Sequence, residues 1–467
     1  MSAEGEYPPS ADIDIFAFFP MKFYDRENEL AALHASRNIA FNTTSQLTVV
    51  AGRRRIGKTK LILKSCEHTP TVYLFVSRNS EAALCSYFSQ VLRDSLSVFV
   101  PEGIHSFSDL FTMCMEIAKT KPYNLVLDEF QEFLNINPSI YSEIQRVWDL
   151  NKDAARMHLI VSGSVYSLMV KIFQDYKEPL YGRATSIIRL KPFSVSVLKT
   201  ILADYSPSSA NDDLLALYAF TGGVPKYVEI LMDNEAFTVE AMVRQIVHEN
   251  SIFIEEGNVM LIQEFGKKYG NYYAILSAIA SGFNEPSRIT AATGQKSLGG
   301  SLQRLEEDYD IIAKRRPVGA KQATQSVRYY IKDHFLRFWF RYVVKYQNLV
   351  QSGQFETLRS LILHDYPEYS GHELEDYFRD KLSEEHPFKE IGSWWMSPRG
   401  KTREEAEQFE LDIVGIYFKQ KRALLAEVKR QRKSFKPEKF QHKVEAIKAA
   451  LLANYEIETG CLTLEDM

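Results

Sequence analysis

Five short apolar runs recur along the N-terminal part of the chain, at Leu47–Ala51, Val72–Val76, Asn124–Leu127, His158–Val161 and Ser186–Leu190. Helical material separates them, and this alternation predicts a parallel sheet covered by helices on both faces. The polar stretch Ser206–Asp213 breaks the pattern. From Leu214 to about Phe265 the apolar spacing becomes helical, interrupted by Thr221-Gly222-Gly223-Val224-Pro225, which predicts a small helical lid. Three more helices are expected at Tyr272–Ala280, Pro286–Ala292 and Leu298–Tyr309, followed by the stretch Ile311–Lys332, whose apolar ends flank Pro317 and Gly319. Three helices and a hairpin form the pattern of a winged helix-turn-helix. Next comes an aromatic helix with Phe335, Phe338, Trp339, Phe340 and Tyr342. Its helical spacing marks core rather than a base-stacking platform. Two strand-like runs, Phe409–Tyr417 and Ala423–Val428, lie further on.

A chain of 467 residues with 45% hydrophobic content forms more than one core. The formal charge of −4 leaves no overall basicity, so any nucleic-acid surface is local. Two segments have such a bias: Ile311–Lys332 holds six Lys or Arg and no acid, and Lys419–Lys448 holds eleven basic residues against three acidic ones. Cys66, Cys85, Cys114 and Cys461 show no metal-ligand or disulfide spacing, which fits a reducing cytoplasm. Met1–Ile15 lacks the pattern of an export signal, and no run of about 18 apolar residues occurs. The expectation is a soluble, cytoplasmic protein without a membrane partner.

The first candidate site follows the first apolar run. Gly52-Arg53-Arg54-Arg55-Ile56-Gly57-Lys58-Thr59 fits the phosphate-binding pattern of glycine, four residues, glycine, lysine and a hydroxyl residue, between a strand and the helix starting near Thr59. Backbone amides would wrap the phosphates of ATP, Lys58 would reach the terminal ones, and Thr59 would help hold Mg²⁺. The third run ends in Asp128 and Glu129. That position suits a metal-organising carboxylate, assigned to Asp128, and a base that deprotonates water, assigned to Glu129. Ser162-Gly163-Ser164 ends the fourth run and would lie beside the γ-phosphate if that strand sits between the two motif strands. Arg183 is the candidate transition-state cation, acting either in its own subunit or in a neighbour.

The second candidate site joins Asp412 in one strand to Glu427 and Lys429 in the next. Alternation puts Glu427 and Lys429 on one face, and hairpin pairing brings Asp412 beside them. Two such carboxylates can bind a divalent cation while the lysine acts on an attacking water. Glu373 is a further candidate carboxylate, and the loop Ser397–Gln408, with Arg399, Lys401 and Arg403, lengthens the approach. Lys429, Arg430, Arg432, Lys433, Lys436 and Lys439 suit a phosphate backbone, as do Lys314-Arg315-Arg316 and Lys321 on the hairpin. A solvated ion-paired hairpin and a wing that binds protein are the readings left open beside these.

The segments Phe23-Tyr24-Asp25-Arg26-Glu27-Asn28-Glu29-Leu30, the two nucleotide motifs, Ser162-Gly163-Ser164, Tyr181-Gly182-Arg183 and Gly222-Gly223-Val224-Pro225-Lys226-Tyr227 together resemble the archaeal-type P-loop ATPases of the AAA+/STAND group. Asp412, Glu427 and Lys429 resemble the core of PD-(D/E)XK nucleases. The resemblance implies an α/β fold with a P-loop ATPase core at 1–205, a helical lid at 206–265, a winged helix-turn-helix at 266–334 and a restriction-endonuclease-like α/β domain at 335–467. It also places Arg26 near the nucleotide base. The function expected is an ATP-hydrolysing enzyme with Mg²⁺, coupled to a half that binds double-stranded DNA and carries a metal-dependent nuclease centre. The alternative is a nucleotide-controlled switch or DNA-binding regulator on an inactive nuclease-like scaffold. A homo-oligomer or a protein partner fits either.

Overall fold

The computed structural model describes residues 21–295, 297–321, 323–324, 326–396, 409–419 and 421–467. Met1–Ile15 and the loop Ser397–Gln408 lie outside the described residues. Strands β1 (Gln46–Ala51), β2 (Thr71–Phe75), β3 (Tyr123–Asp128), β4 (Met157–Gly163) and β5 (Ser186–Arg189) form one parallel sheet in the order β2-β3-β4-β1-β5. β3 and β4 are buried at every position, which is why they read as continuous apolar runs. Successive residues of β1 serve opposite faces. Val50 packs with Ile56, Leu61 and Leu33, while Val49 packs in the layer holding Phe88, Phe111 and Trp148. Each such fully buried side chain contributes roughly 1.5–3 kcal/mol. Because β4 lies between β1 and β3, the C-terminal ends of both motif strands and Ser162 open onto one crevice.

Helices 195–205, 211–221, 225–233, 239–246 and 252–265 follow the sheet. Three more, Tyr269–Ala280, Pro286–Thr293 and Gly299–Glu307, precede an antiparallel hairpin of β6 (Ile312–Arg315) and β7 (Arg328–Ile331). Aromatic residues Phe335, Phe338, Trp339 and Tyr342 are buried in a core shared by all these helices and by the long helix Phe355–Glu385. Gly257 lets Trp339 lie against the helix Ile252–Phe265, since a Cβ there would stand 2.2 Å from the indole ring. The indole Nε1 donates to the Ile254 carbonyl at 2.8 Å.

The C-terminal sheet runs β11-β10-β9-β8, with β8 (Phe388–Trp394), β9 (Leu411–Tyr417) and β10 (Arg422–Val428) antiparallel and β11 (Glu456–Leu462) parallel to β10. The helix Pro437–Ala450 makes the crossover between β10 and β11. The hairpin tip packs on this sheet. The Val318 amide donates to the Ser393 carbonyl at 3.0 Å, its side chain is buried with Trp394, Leu411 and Val414, and Gly319 abuts Leu451. Arg315 pairs with Asp376 at 2.8 Å and lies over the Tyr330 ring at 4.4 Å. The expected basic rim of the hairpin is therefore reduced by internal pairing. Lys321 is exposed, Lys314 is half-buried, and neither makes an ion pair with a described residue.

Candidate nucleotide site and C-terminal carboxylate cluster

The loop after β1 turns through left-handed backbone at Arg55 (φ 65°) and Gly57 (φ 90°), and Gly57 caps the helix Lys58–Cys66. Glycine adopts that conformation without Cβ strain. The helix N-terminus thereby presents unpaired amides to the crevice, a natural anion seat. Lys58 is buried and spans the loop, donating to the carbonyls of Gly52 at 2.9 Å and Arg53 at 3.0 Å. Burial pushes its ammonium down to about 8, against the pull of Glu129, Asp128 and Glu264. Ile56 does not face the crevice but fills the core beside Val50 and Leu61.

Asp128 joins the pieces. One carboxylate oxygen accepts from Thr59 Oγ1 at 3.1 Å and from Tyr73 Oη, and the other accepts from Ser162 Oγ and from the Glu129 amide at 2.9 Å. Tyr73 is a member that the sequence pattern did not single out. Glu129 holds φ 55°, a left-handed conformation that costs a non-glycine residue about 1 kcal/mol and recurs at functional sites. Its Oε2 accepts from Ser164 Oγ at 2.8 Å and Gln131 Nε2 at 2.5 Å. The donor set of phosphate-loop amides, ammonium, Thr59 hydroxyl and Asp128 carboxylate fits a nucleotide polyphosphate with Mg²⁺.

Arg183 stands elsewhere. Thr185 donates its amide to Leu47 at the entry end of β1, and Gly52 begins roughly 17 Å away at the other end of that strand. Arg183 pairs with Asp149 at 3.1 Å. The structure thus does not bring it together with Glu129. Arg26 is buried, donates to the Lys191 carbonyl at 2.7 Å and lies 5.2 Å over Phe193.

The side chains of the three loop arginines pair with later parts of the chain. Arg53 pairs with Asp333 at 3.1 Å and donates to the Asp310 carbonyl. Arg55 and Arg54 meet the buried Glu256 at 2.7 and 3.7 Å. Sequence reasoning missed Glu256 and Glu264. Their signal is that each falls beside apolar positions of the helix Ile252–Phe265, which also carries Glu255, Asn258 and Gln263.

At the C-terminal cluster, Lys429 Nζ lies 3.5 Å from Asp412 and 2.9 Å from Glu427, so the three residues do converge. Asp412 Oδ2 also accepts from the Val428 amide at 2.8 Å. Burial, then Glu375 and Glu427, push its carboxyl above the usual range. Lys443 on the crossover helix reaches both Glu427 oxygens at 2.9 Å. Glu373, the expected further carboxylate, is instead buried in ion pairs with Arg337 at 3.1 Å and His334. Glu375 is the helix carboxylate whose charge reaches Asp412. Glu375, Asp412 and Lys443 line a cleft of about 2100 Å³ beside the hairpin. Among the described residues no group of three or more His, Cys, Asp or Glu side chains is arranged to hold a metal ion.

Residues 23–231 match the model of an ATPase domain predominantly from Archaea, and residues 339–441 match a family of archaeal and bacterial proteins of unknown function. With the parallel sheet and phosphate loop, the match over residues 23–231 marks an archaeal-type P-loop ATPase domain in this part of the chain. An uncharacterized protein of Methanocaldococcus jannaschii is 29% identical over 423 residues, 87% of each chain. The Walker-type ATPase of Pyrococcus abyssi shares the fold with a TM-score of 0.52 at 19% identity, over 68% of this chain and 96% of that one. The ORC2 protein of Aeropyrum pernix aligns with a TM-score of 0.49 at 13% identity, over 72% and 96%. Among the described residues no helix is long and apolar enough to cross a membrane.

Proposed function

We propose that the chain hydrolyses ATP and that its nucleotide state controls a C-terminal half acting on double-stranded DNA. The observation carrying this reading is the phosphate loop itself: it meets Asp128 through Thr59 on one side and Glu256 and Asp333 of the later segments on the other. The domain division expected from the sequence, with a lid, a winged helix and a nuclease-like unit after the core, is retained as part of the proposal.

In this reading Lys58 holds the terminal phosphates, Thr59 and Asp128 hold Mg²⁺, and Glu129 accepts the proton of the attacking water while Ser164 fixes its carboxylate. Mg²⁺ supplies charge neutralisation across the phosphates. Ser162 links strand β4 to Asp128 and so relays phosphate occupancy. Arg183, far from its own loop, serves a neighbouring subunit. Mixing Arg183→Ala with Glu129→Gln protein is then expected to regain about a quarter of the wild-type ATPase rate, the share of sites that combine an intact Glu129 with an intact Arg183 from next door. A mixture as inactive as its components removes the trans role.

DNA contact is assigned to Lys433, Lys436 and Lys439, which are exposed and make no ion pair with a described residue, with Lys314 and Lys321 in support. Arg430 and Arg432 are excluded from this set by their pairs with Asp212 at 2.7 Å and Asp466 at 2.9 Å. Replacing the three lysines by Ala is expected to flatten the salt slope of duplex binding by roughly two to three units. An unchanged salt titration moves the DNA surface elsewhere.

Asp412, Glu427 and Lys429, with Glu375, form the proposed hydrolytic centre. A second reading, an inactive scaffold, draws support from Lys443, which neutralises Glu427 without any metal. Plasmid DNA incubated with Mg²⁺ or Mn²⁺, with and without ATP, separates them: nicking supports the first reading, and intact plasmid under every condition supports the second.

A further inference from the structure

Two carboxylates of the helix Ile252–Phe265, Glu256 and Glu264, bond to residues around the phosphate loop. They stand eight residues apart, about 12 Å along the axis. Glu256 is 2% exposed, holds Arg55 at 2.7 Å and Arg54 at 3.7 Å, and accepts from Tyr227 Oη at 3.2 Å. Glu264 accepts from the Tyr166 amide at 3.1 Å and Ser167 Oγ at 3.0 Å. Those two residues start the helix just after Ser164, whose hydroxyl fixes Glu129. The charge of Glu264 is felt at both Lys58 and Arg53. Burying a carboxylate is costly unless its partners are good. Both acids have partners, and each partner belongs to the phosphate loop, the lid or the start of the helix after β4.

We propose that Glu256 and Glu264 form an acidic clamp that sets the nucleotide preference of the site: it tolerates a nucleoside diphosphate and must be displaced by a triphosphate. The inference rests on the nucleotide reading of the phosphate loop. A diphosphate is held within the loop amides. The third phosphate arrives on the side of Lys58, Glu129 and Ser164, where Glu264 adds a like charge in a poorly solvated space. It also offers Arg54 and Arg55 the same kind of charge-assisted partner that Glu256 now provides. Exchange of partners frees the clamp helix. Because Trp339 is bonded to Ile254 and packed on Gly257, that helix cannot shift without disturbing the aromatic seam to the C-terminal half.

The test is direct binding of ADP and of a β,γ-imido ATP analogue, with Mg²⁺, to the full chain and to its Glu256→Gln and Glu264→Gln variants. Each variant is expected to bind the triphosphate analogue about tenfold more tightly while ADP changes less than about threefold. In the wild type, amide hydrogen exchange in residues 252–265 is expected to rise with the analogue and not with ADP. Equal gains for the two nucleotides, or no gain, overturn the clamp and leave the nucleotide site standing. If a variant does not fold, the exchange comparison on the wild type decides: the same exchange with both nucleotides overturns the proposal. A wild type that binds neither nucleotide takes down the phosphate-loop reading together with the clamp.

Discussion

Lys58→Ala is expected to lower nucleotide affinity about a hundredfold, the scale of one charge-assisted contact to phosphate removed from a buried site. Glu129→Gln is expected to keep that affinity and lose roughly 10²- to 10⁴-fold in turnover, because in the proposed mechanism it removes the proton acceptor and leaves the phosphate seat intact. The two substitutions therefore divide binding from chemistry. Lys58 also ties the carbonyls of Gly52 and Arg53, so its loss relaxes the loop as well. A thermal melt beside the binding titration separates loop collapse from general unfolding. Gln at position 129 keeps the size of the side chain and its left-handed backbone, so its effect is chemical. Titration with a fluorescent ATP analogue and steady-state phosphate release measure both. Equal turnover by wild type and Glu129→Gln would remove Glu129 as the base, and undiminished affinity in Lys58→Ala would remove the phosphate seat.

The parts of this site on contiguous stretches were legible in the chain. An apolar run before Gly52 and another ending at Asp128 announce two strands of a parallel sheet, and the small hydroxyl residues after the run at 158–161 announce the third. Side chains joined across long separations were not. Arg53 and Asp333 are 280 residues apart, and nothing local in a loop arginine indicates its partner. Local spacing also misassigned the carboxylate on the long helix. Glu373 and Glu375 are two positions apart, about 200° around the axis, so only the docking of that helix on β9 decides which one faces Asp412. The edge strands β8 and β11 were missed because their apolar and polar residues are mixed and each contains a glycine, Gly392 and Gly460. The hairpin was legible as a hairpin, but Val318 gives no local sign that its tip would be covered by a sheet nearly a hundred residues later.

If the C-terminal cluster is hydrolytic, Asp412→Ala and Glu427→Ala are each expected to abolish cleavage of plasmid DNA that depends on a divalent cation. Lys429→Ala is expected to slow it at least about a hundredfold, while ATP hydrolysis persists in all three. Asp412 and Glu427 both touch Lys429, so a cation entering between them takes over the role that the ammonium now fills. Lys443 competes for Glu427 from the crossover helix, so Lys443→Gln is expected to lower the metal concentration needed for half-maximal cleavage. Removing Glu427 leaves two ammonium groups facing each other in a partly buried site, which costs stability as well as chemistry. Glu427→Gln therefore accompanies the Ala variant, and unchanged melting with lost cleavage identifies a chemical role. A folded, ATP-hydrolysing wild type that leaves plasmid, linear and single-stranded DNA intact with both Mg²⁺ and Mn²⁺ assigns the cluster to the scaffold. Lys429 and Lys443 then serve as fixed counterions that hold β9, β10 and the crossover helix together.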